Sequence, residues 1–332
     1  MCFIKYYMSQ SEKHTSNKEK ERQSMKAIDH ITIIGMGALG ILYGEHLTNA
    51  LGSGAVAFLA DYDRIKRYQA EGVFCNQKAC NFQLKPAGAG KEPAQLLIFA
   101  VKAAALNDAI EMARPYVNRD TIIISVLNGI SSEETIVQKL GTGHVVYSVA
   151  QGMDAVKTGN QLTYTNKGVL CIGIPGQDLQ KLAALKCLTQ LFDRAGLPHV
   201  VEADIRHRLW SKWMLNVGVN QVVMVEAGTY RTVQQPGAAR EQMIAAMREV
   251  IRLAEEEHIP VTEQDLAEYV ALVDTLNPDG MPSMRQDGLA RRYSEVELFA
   301  GTVIKKALAA NVAVPVNQYL YQAILKLESS YA

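Results

Sequence analysis

Two sets of residues in this 332-residue chain have the types and spacing to do chemistry. The first is the series GMGALG, in which Gly35, Gly37 and Gly40 fit G-x-G-x-x-G directly after the apolar run Ile31, Ile33 and Ile34. In such a turn the first glycine permits the tight bend, the second admits a pyrophosphate against bare backbone, and the third lets helix pack on strand. The helix that follows, from Ala38 to about Ala50, presents its unpaired N–H groups and positive dipole end to the phosphates. Met36, Ala38 and Leu39 belong to the same cradle. The strand before and the helix after meet the context that the motif requires, and a purely structural glycine turn is the bland alternative.

The second set lies in RHRLWSKWMLNVGVNQVVMV, where Lys212, Asn216 and Asn220 recur every four residues. At about 100° per residue they spread over only about 80° of helix surface. Around this narrow stripe stand Leu209, Trp210, Trp213, Met214, Leu215, Val217, Val219, Val222 and Val223. A helix apolar nearly all round is buried, and polar groups within it need partners. The bland alternative is the wet face of an amphipathic helix.

The elements that must position these residues are legible as an alternation. After the glycine turn, strands are expected at Ala55 to Leu59, Gln95 to Val101 and Thr121 to Val126, with helices between and after them. Gly72 to Leu84 reads as a short hairpin. Such alternation predicts a parallel sheet with right-handed crossovers. Lys102 and Asn128 then fall at carboxyl ends of strands, the edge that forms the ligand crevice in open α/β sheets. Alternatively, Lys102 is a solvated loop residue and Asn128 half of an Asn-Gly turn. Asp61 follows the second strand, where an acid binds the ribose hydroxyls of NAD, whereas Arg64, Lys66 and Arg67 behind it suit a 2′-phosphate. A charged first helical turn also explains them.

His144 to Ala150, Gln161 to Thr165 and Gly168 to Ile172 read as further strands, and Asp178 to Ala195 as a helix. From Asp204 the pattern is almost uninterrupted helix. We therefore expect a dinucleotide-binding domain over 27–203 and a helical substrate domain over 204–332. Residues 1–26 read as a disordered extension, with Met25 standing where a dinucleotide-binding protein would begin. Thr262 with Asp265, Ser283 with Gln286, and Ser294 with Glu297 fit capping boxes, the last before a helix from Glu295 to about Asn311.

Bulk properties narrow the function. Lys plus Arg and Asp plus Glu each number 34, so the net charge of +0 favours neither nucleic acid nor a solvating tail. No run approaches the roughly 18 apolar residues of a membrane span. The five cysteines, an odd number scattered along a long chain, suit reduced thiols and a cytoplasmic setting. Cys75 and Cys80 have no second Cys or His pair to complete a zinc site, and no metal is expected.

Taken together, GMGALG, FAVK at 99–102, LNG at 127–129, LWSKWMLNVGVN at 209–220, PSMRQD at 282–287 and SEVE at 294–297 resemble the ketopantoate reductase family, from about residue 27 to the end. The resemblance implies an α/β chain, with an N-terminal Rossmann-type parallel-sheet domain, an all-α C-terminal domain and an active site between them. It implies NADPH-dependent reduction of 2-dehydropantoate to pantoate, on the route to pantothenate and coenzyme A. Lys212 would be the general acid, Asn216 and Asn220 substrate ligands, and Ser283 a partner of the substrate carboxylate. Glu295 would hold Lys212 or the cofactor ribose, with Lys102, Asn128 and Ala155 on the nicotinamide side. The chemistry is coherent, because hydride arriving at a keto carbon leaves an alkoxide that needs a cation able to yield a proton. Ser283 as a plain N-cap and Glu295 as a first-turn acid are the bland alternatives.

The chain departs from the family pattern in places. Leu127 stands where a glutamine is common, Ala300 precedes Gly301 in place of asparagine, a substrate asparagine expected about ten residues after Asn220 has no clear counterpart near Thr229 and Tyr230, and the family usually carries a basic residue near Asp61. NADH and a different 2-keto acid therefore stay beside NADPH and ketopantoate. A dinucleotide-sensing protein without catalysis is the non-enzymatic alternative. The long apolar helices of the second domain are compatible with a homodimer.

Overall fold

The computed structural model describes residues 27–88, 92–141, 144–176 and 178–331; the extension expected over 1–26 lies outside them. Strand β1 (Ile31–Ile34) is buried at every residue and runs through the glycine turn into α1 (Ala38–Leu51). Then follow β2 (Val56–Ala60), α2 (Tyr62–Glu71), the hairpin β3 (Phe74–Cys75) and β4 (Lys78–Ala79), and β5 (Gln83–Pro86). Next come β6 (Leu96–Phe99), α3 (Leu106–Ala113), β7 (Ile122–Ser125) and α4 (Ser132–Leu140). Among the described residues the main sheet has order β5-β2-β1-β6-β7, parallel throughout, with Ile31 opposite both Val56 and Leu96. Continuous runs such as Leu96–Phe99 and Ile122–Ser125 suit strands covered on both faces.

The hairpin expected over Gly72 to Leu84 is shorter than its sequence suggests. Asn76 and Gln77 turn it with φ of 47° and 68°, and the chain leaves it after Ala79. Gln83–Pro86 instead joins the edge of the main sheet, parallel to β2. An edge position tolerates Pro86 because one side of the strand makes no ladder bonds.

The chain continues through β8 (Tyr147–Met153), β9 (Val156–Thr158), β10 (Gln161–Thr163), β11 (Lys167–Gly173), α5 (Leu179–Ala195) and β12 (His199–Val201). β8 and β11 pair antiparallel, and β12 lies parallel beside β11. The remaining part is helical: α6 (Ile205–Val225), α7 (Tyr230–Gln234), α8 (Ala238–Glu256), α9 (Glu263–Thr275), α10 (Ser283–Leu289), α11 (Ala300–Ala310) and α12 (Pro315–Glu328). α6 is its axis, packed against α8, α10 and α12. Trp213, Met214, Val217, Val222 and Val223 are almost wholly buried in one core, which Val149 of β8 and Cys171 of β11 also enter. Buried polar side chains serve the helix ends. The Glu249 carboxylate accepts the Val316 and Asn317 N–H groups, each at 2.9 Å, at the start of α12. Gln221 accepts the Ala300 N–H at 3.2 Å. The Thr262–Asp265 capping box forms as the sequence predicts.

The three glycines of the turn answer to different constraints. A Cβ on Gly35, whose φ is +105°, would lie 2.5 Å from the Ala100 carbonyl oxygen, and one on Gly40 would lie 1.9 Å from the Gly35 carbonyl oxygen. Both meet backbone that cannot yield. Gly37, with φ of −73°, has only the Ala100 oxygen at 3.5 Å and is exposed. We therefore expect Gly40→Ala to lose about 1–3 kcal/mol of stability through overpacking, whereas Gly37→Ala stays within about 0.5 kcal/mol of the parent. Urea unfolding midpoints of the two variants check this.

Candidate active site

The lysine of the polar stripe is held by the other half of the chain. Lys212, on α6, donates to the Ala150 carbonyl of β8 at 2.5 Å and to Asn128 Oδ1 at 3.2 Å. Asn128 Nδ2 in turn donates to Glu295 Oε2 at 3.0 Å. The asparagine is fixed at both ends: its oxygen faces the cation and its amino group faces the carboxylate. Part of the Lys212 side chain opens on a small recess lined by Leu127, Asn128, Ser148, Lys212, Trp213 and Asn216, among others. Its ammonium nevertheless lies deep in protein. Burial pulls the pKa down to about 8, while Glu295 and then Cys171 oppose the shift.

One helical turn further along α6, a second chain of contacts begins. Asn220 Nδ2 donates to Asn216 Oδ1 at 3.2 Å, and Asn220 Oδ1 accepts from Ser283 Oγ at 3.1 Å and from Met284 N at 3.2 Å. The amide oxygens of Asn216 and Asn220 are thus both taken within the chain. What the pair can offer a ligand is N–H donors, which suits a molecule whose polar atoms are oxygens.

Sequence reasoning missed the residue that links this chain to the glycine turn. Asp287 is 5% exposed and sits four residues after Ser283 on α10. It accepts from Lys102 Nζ at 2.5 Å and from Arg292 Nε at 2.9 Å. Lys102 lies two residues beyond Ala100, against which Gly35 packs. A path of contacts therefore runs from the glycine turn through Lys102, Asp287 and α10 to Asn220 and Asn216 on α6, the helix that also carries Lys212. Its signal in the sequence was the i, i+4 spacing of Ser283 and Asp287 within PSMRQD, a carboxylate and a hydroxyl on one helix face. Also missed was Glu133, fully buried in the first turn of α4. It accepts from Ser132 Oγ at 2.8 Å and from Ser148 N at 3.4 Å, and burial pushes its pKa up to about 7.

Two expectations need correction. Ser283 is not the cap of its helix: Pro282 occupies that place, Ser283 is the first helical residue, and Gln286 reaches back to the Met281 carbonyl. The hydroxyl is spent on Asn220 instead. Nor does a helix begin at Glu295. A short 3₁₀ turn (Val296–Leu298) and a break at Phe299 precede α11, and Glu297 accepts from Tyr321, so no Ser294–Glu297 box forms. That break leaves the Leu298 carbonyl to accept from Trp213 Nε1 at 2.8 Å and sets Glu295 beside Asn128. Glu295 reaches Lys212 through Asn128, with no direct hydrogen bond between them.

The remaining expected residues belong to the N-terminal part. Met36 is buried, Ala38 and Leu39 open α1, and Asp61 caps α2 while pairing with Arg64. Ala155 lies between β8 and β9, packed on the N-terminal core. A dinucleotide fits the glycine turn on this chain's own evidence: a Cβ on Gly37 would make only an ordinary 3.5 Å contact with the Ala100 oxygen, and its place is the exposed approach to backbone. Among the described residues no group of three His, Cys, Asp or Glu side chains could hold a metal, and no helix is long and apolar enough to cross a membrane.

Comparison with known proteins places this geometry among relatives. Residues 31–176 match the family model described as ketopantoate reductase PanE/ApbA, and residues 204–328 match its C-terminal counterpart. The 2-dehydropantoate 2-reductase of Vibrio cholerae is 28% identical over 239 residues, covering 72% of this chain and 79% of that one. Among solved structures, a PanE/ApbA family ketopantoate reductase from Ralstonia eutropha superposes with a TM-score of 0.79 at 20% identity, covering 91% of this chain and 99% of that one. A D-mandelate dehydrogenase solved with NADH and anilino(oxo)acetate superposes with a TM-score of 0.81 at 21% identity and the same coverage.

The low Lys212 pKa has a measurable consequence for stability. Below about pH 8 the folded chain keeps a desolvated charge that the unfolded chain, with an ordinary pKa of 10.5, solvates freely. Between those values the unfolded state binds more protons, so this penalty disappears as pH rises. Lys212→Met should therefore melt about 1–3 °C above the parent at pH 7, with the difference shrinking between pH 8 and 10. Paired thermal melts across that range check the sign.

Proposed function

Since the chain belongs to the ketopantoate reductase family, we propose that it reduces 2-dehydropantoate to pantoate with Lys212 as general acid. The observation that carries this reading is the buried ammonium fixed between the Ala150 carbonyl and Asn128 at the rim of the recess. In this reading residues 27–203 are the dinucleotide-binding domain and 204–332 the helical substrate domain. A reduced nicotinamide dinucleotide, held by Gly35, Met36, Gly37, Ala38, Leu39 and Gly40, supplies hydride when bound. The family brings NADPH to that cradle and Asp61 brings NADH. A homodimer is the assembly we carry with it, on the long apolar helices of the C-terminal part.

The chain's own residues divide the rest of the work. As the keto carbon gains a bond, the carbonyl π pair moves onto oxygen, and the charge that develops there is stabilised by the Lys212 ammonium. Nζ then yields a proton to the alkoxide, leaving a neutral amine that solvent reprotonates. Burial makes the ammonium a better acid, while Glu295, acting across Asn128, keeps it protonated near neutral pH. The N–H groups of Asn216 and Asn220 hold substrate oxygens without adding charge beside the reacting centre, and Ser283, donating to Asn220 Oδ1, keeps that amide turned toward them. Lys102, paired with Asp287, and Asn128 border the side from which hydride arrives.

A second reading, reduction of a different 2-keto acid, is favoured by Leu127. It is buried and apolar and lines the recess beside Asn128 where a polar glutamine is common in the family. Dinucleotide sensing without catalysis makes the opposite claim about turnover.

Oxidation of NADH or NADPH followed at 340 nm with ketopantoate and a panel of 2-keto acids separates these readings. Lys212→Ala should lower kcat by about 10²–10⁴-fold while dinucleotide binding survives. The parent rate should be level at low pH and fall through an apparent pKa near 8, because the acid works only when protonated. Binding without turnover on any keto acid would leave sensing as the function.

A further inference from the structure

We infer that Asp61 makes the cradle selective for NADH over NADPH, against the family expectation. The inference rests on the reading of Gly35–Gly40 as a dinucleotide cradle. The parallel register sets Ile34 opposite Leu59, so the chain leaves β2 at Ala60 and Asp61 directly beside the glycine turn. The Asp61 carboxylate is about half exposed. Its Oδ1 caps α2 by accepting from Arg64 N at 2.8 Å, and its Oδ2 lies 3.3 Å from Arg64 Nε. In a doubly wound sheet, an acid at the end of this strand accepts from the ribose hydroxyls, whereas a 2′-phosphate requires a basic partner there.

Each basic residue behind Asp61 already faces a neighbour on its own helix. Arg64 Nε lies against Asp61 Oδ2 in a half-exposed pair that leaves the carboxylate its charge. Lys66 Nζ stands 4.6 Å over the Tyr62 ring, and the Arg67 guanidinium stands 5.2 Å from the Tyr68 ring centroid. A diol offers O–H donors to the lone pairs that Asp61 keeps. A 2′-phosphate offers only negative oxygens to a negative group, a like-charge approach that costs affinity even at high effective dielectric. The residues therefore do not fit the phosphorylated cofactor as they fit the unphosphorylated one.

Asp61 also has a structural duty as a cap, and the test must separate the two. Asparagine caps a helix about as well as aspartate, so Asp61→Asn keeps the N-terminus of α2 and removes only the charge. Dissociation constants of NADH and NADPH, measured by calorimetric titration of parent and variant, together with their melting temperatures, decide the matter. The parent should bind NADH at least about tenfold tighter than NADPH. In Asp61→Asn that ratio should fall by about tenfold or more, chiefly through weaker NADH and stronger NADPH binding, with the melting temperature nearly unchanged. A parent that binds NADPH more tightly, or a variant whose ratio is unaltered, overturns the inference and leaves the cradle standing. If neither dinucleotide binds the parent, the cradle fails and the inference with it.

Discussion

The contact of Lys212 with the Ala150 carbonyl is the constraint on which the site depends. It is made by a helix of the C-terminal part reaching a strand of the N-terminal part, through a core that neither part completes alone. α6 can place a cation there only because the rest of its surface is apolar enough to be buried. Trp213 and Met214 beside the lysine, and Val217 a turn later, are almost wholly excluded from solvent. Dispersion and burial fix the helix, and the fixed helix denies the ammonium the freedom to turn back to water. The 2.5 Å hydrogen bond and the lowered pKa are two sides of that one arrangement.

A second ionic contact between the parts is organised differently. Asp287 is nearly inaccessible but has two cationic partners, Lys102 from the sheet edge and Arg292 from its own segment. A carboxylate so placed would be costly alone and is tolerable because each oxygen has a charged donor. The Lys212 contact rests on a neutral carbonyl and an amide, so there the charge is left undercompensated. The difference is chemical: an ammonium fully paired with carboxylates gives up its proton reluctantly, whereas one held by neutral oxygens in protein surroundings remains a usable acid.

Much of this was legible in the sequence, for identifiable reasons. The β1–turn–α1 unit follows from a buried apolar run ending in glycines, of which steric contact demands Gly35 and Gly40 while no clash within the protein demands Gly37. The stripe of Lys212, Asn216 and Asn220 could be read because helical periodicity converts spacing into direction. Capping was less reliable. Thr262 and Asp265 form their box, yet Ser283 and Ser294 carry the same local pattern and do not, since Asn220 and the break at Phe299 compete for the same atoms. Local patterns state what a hydroxyl can do, and only packing decides among its partners. Asp287 escaped notice because its importance lies in pairing with Lys102, 185 residues away, a relation no local period encodes.

Glu133 shows how far such non-local placement reaches. It is the second helical residue of α4, where a carboxylate ordinarily gains from the helix dipole, yet its burial is complete enough to raise its pKa to about 7. Its oxygens take the Ser132 hydroxyl and the Ser148 backbone N–H, and Ser132 also receives the Ser125 hydroxyl from the end of β7. Ser148 stands two residues before Ala150 on β8, and Asn128 three residues after Ser125. The two acceptors of the Lys212 ammonium thus spring from backbone segments tied to one buried carboxyl group. A rigid reference of this kind is what a fixed amine requires, because neither the carbonyl nor the amide can hold Lys212 more firmly than its own strand is held.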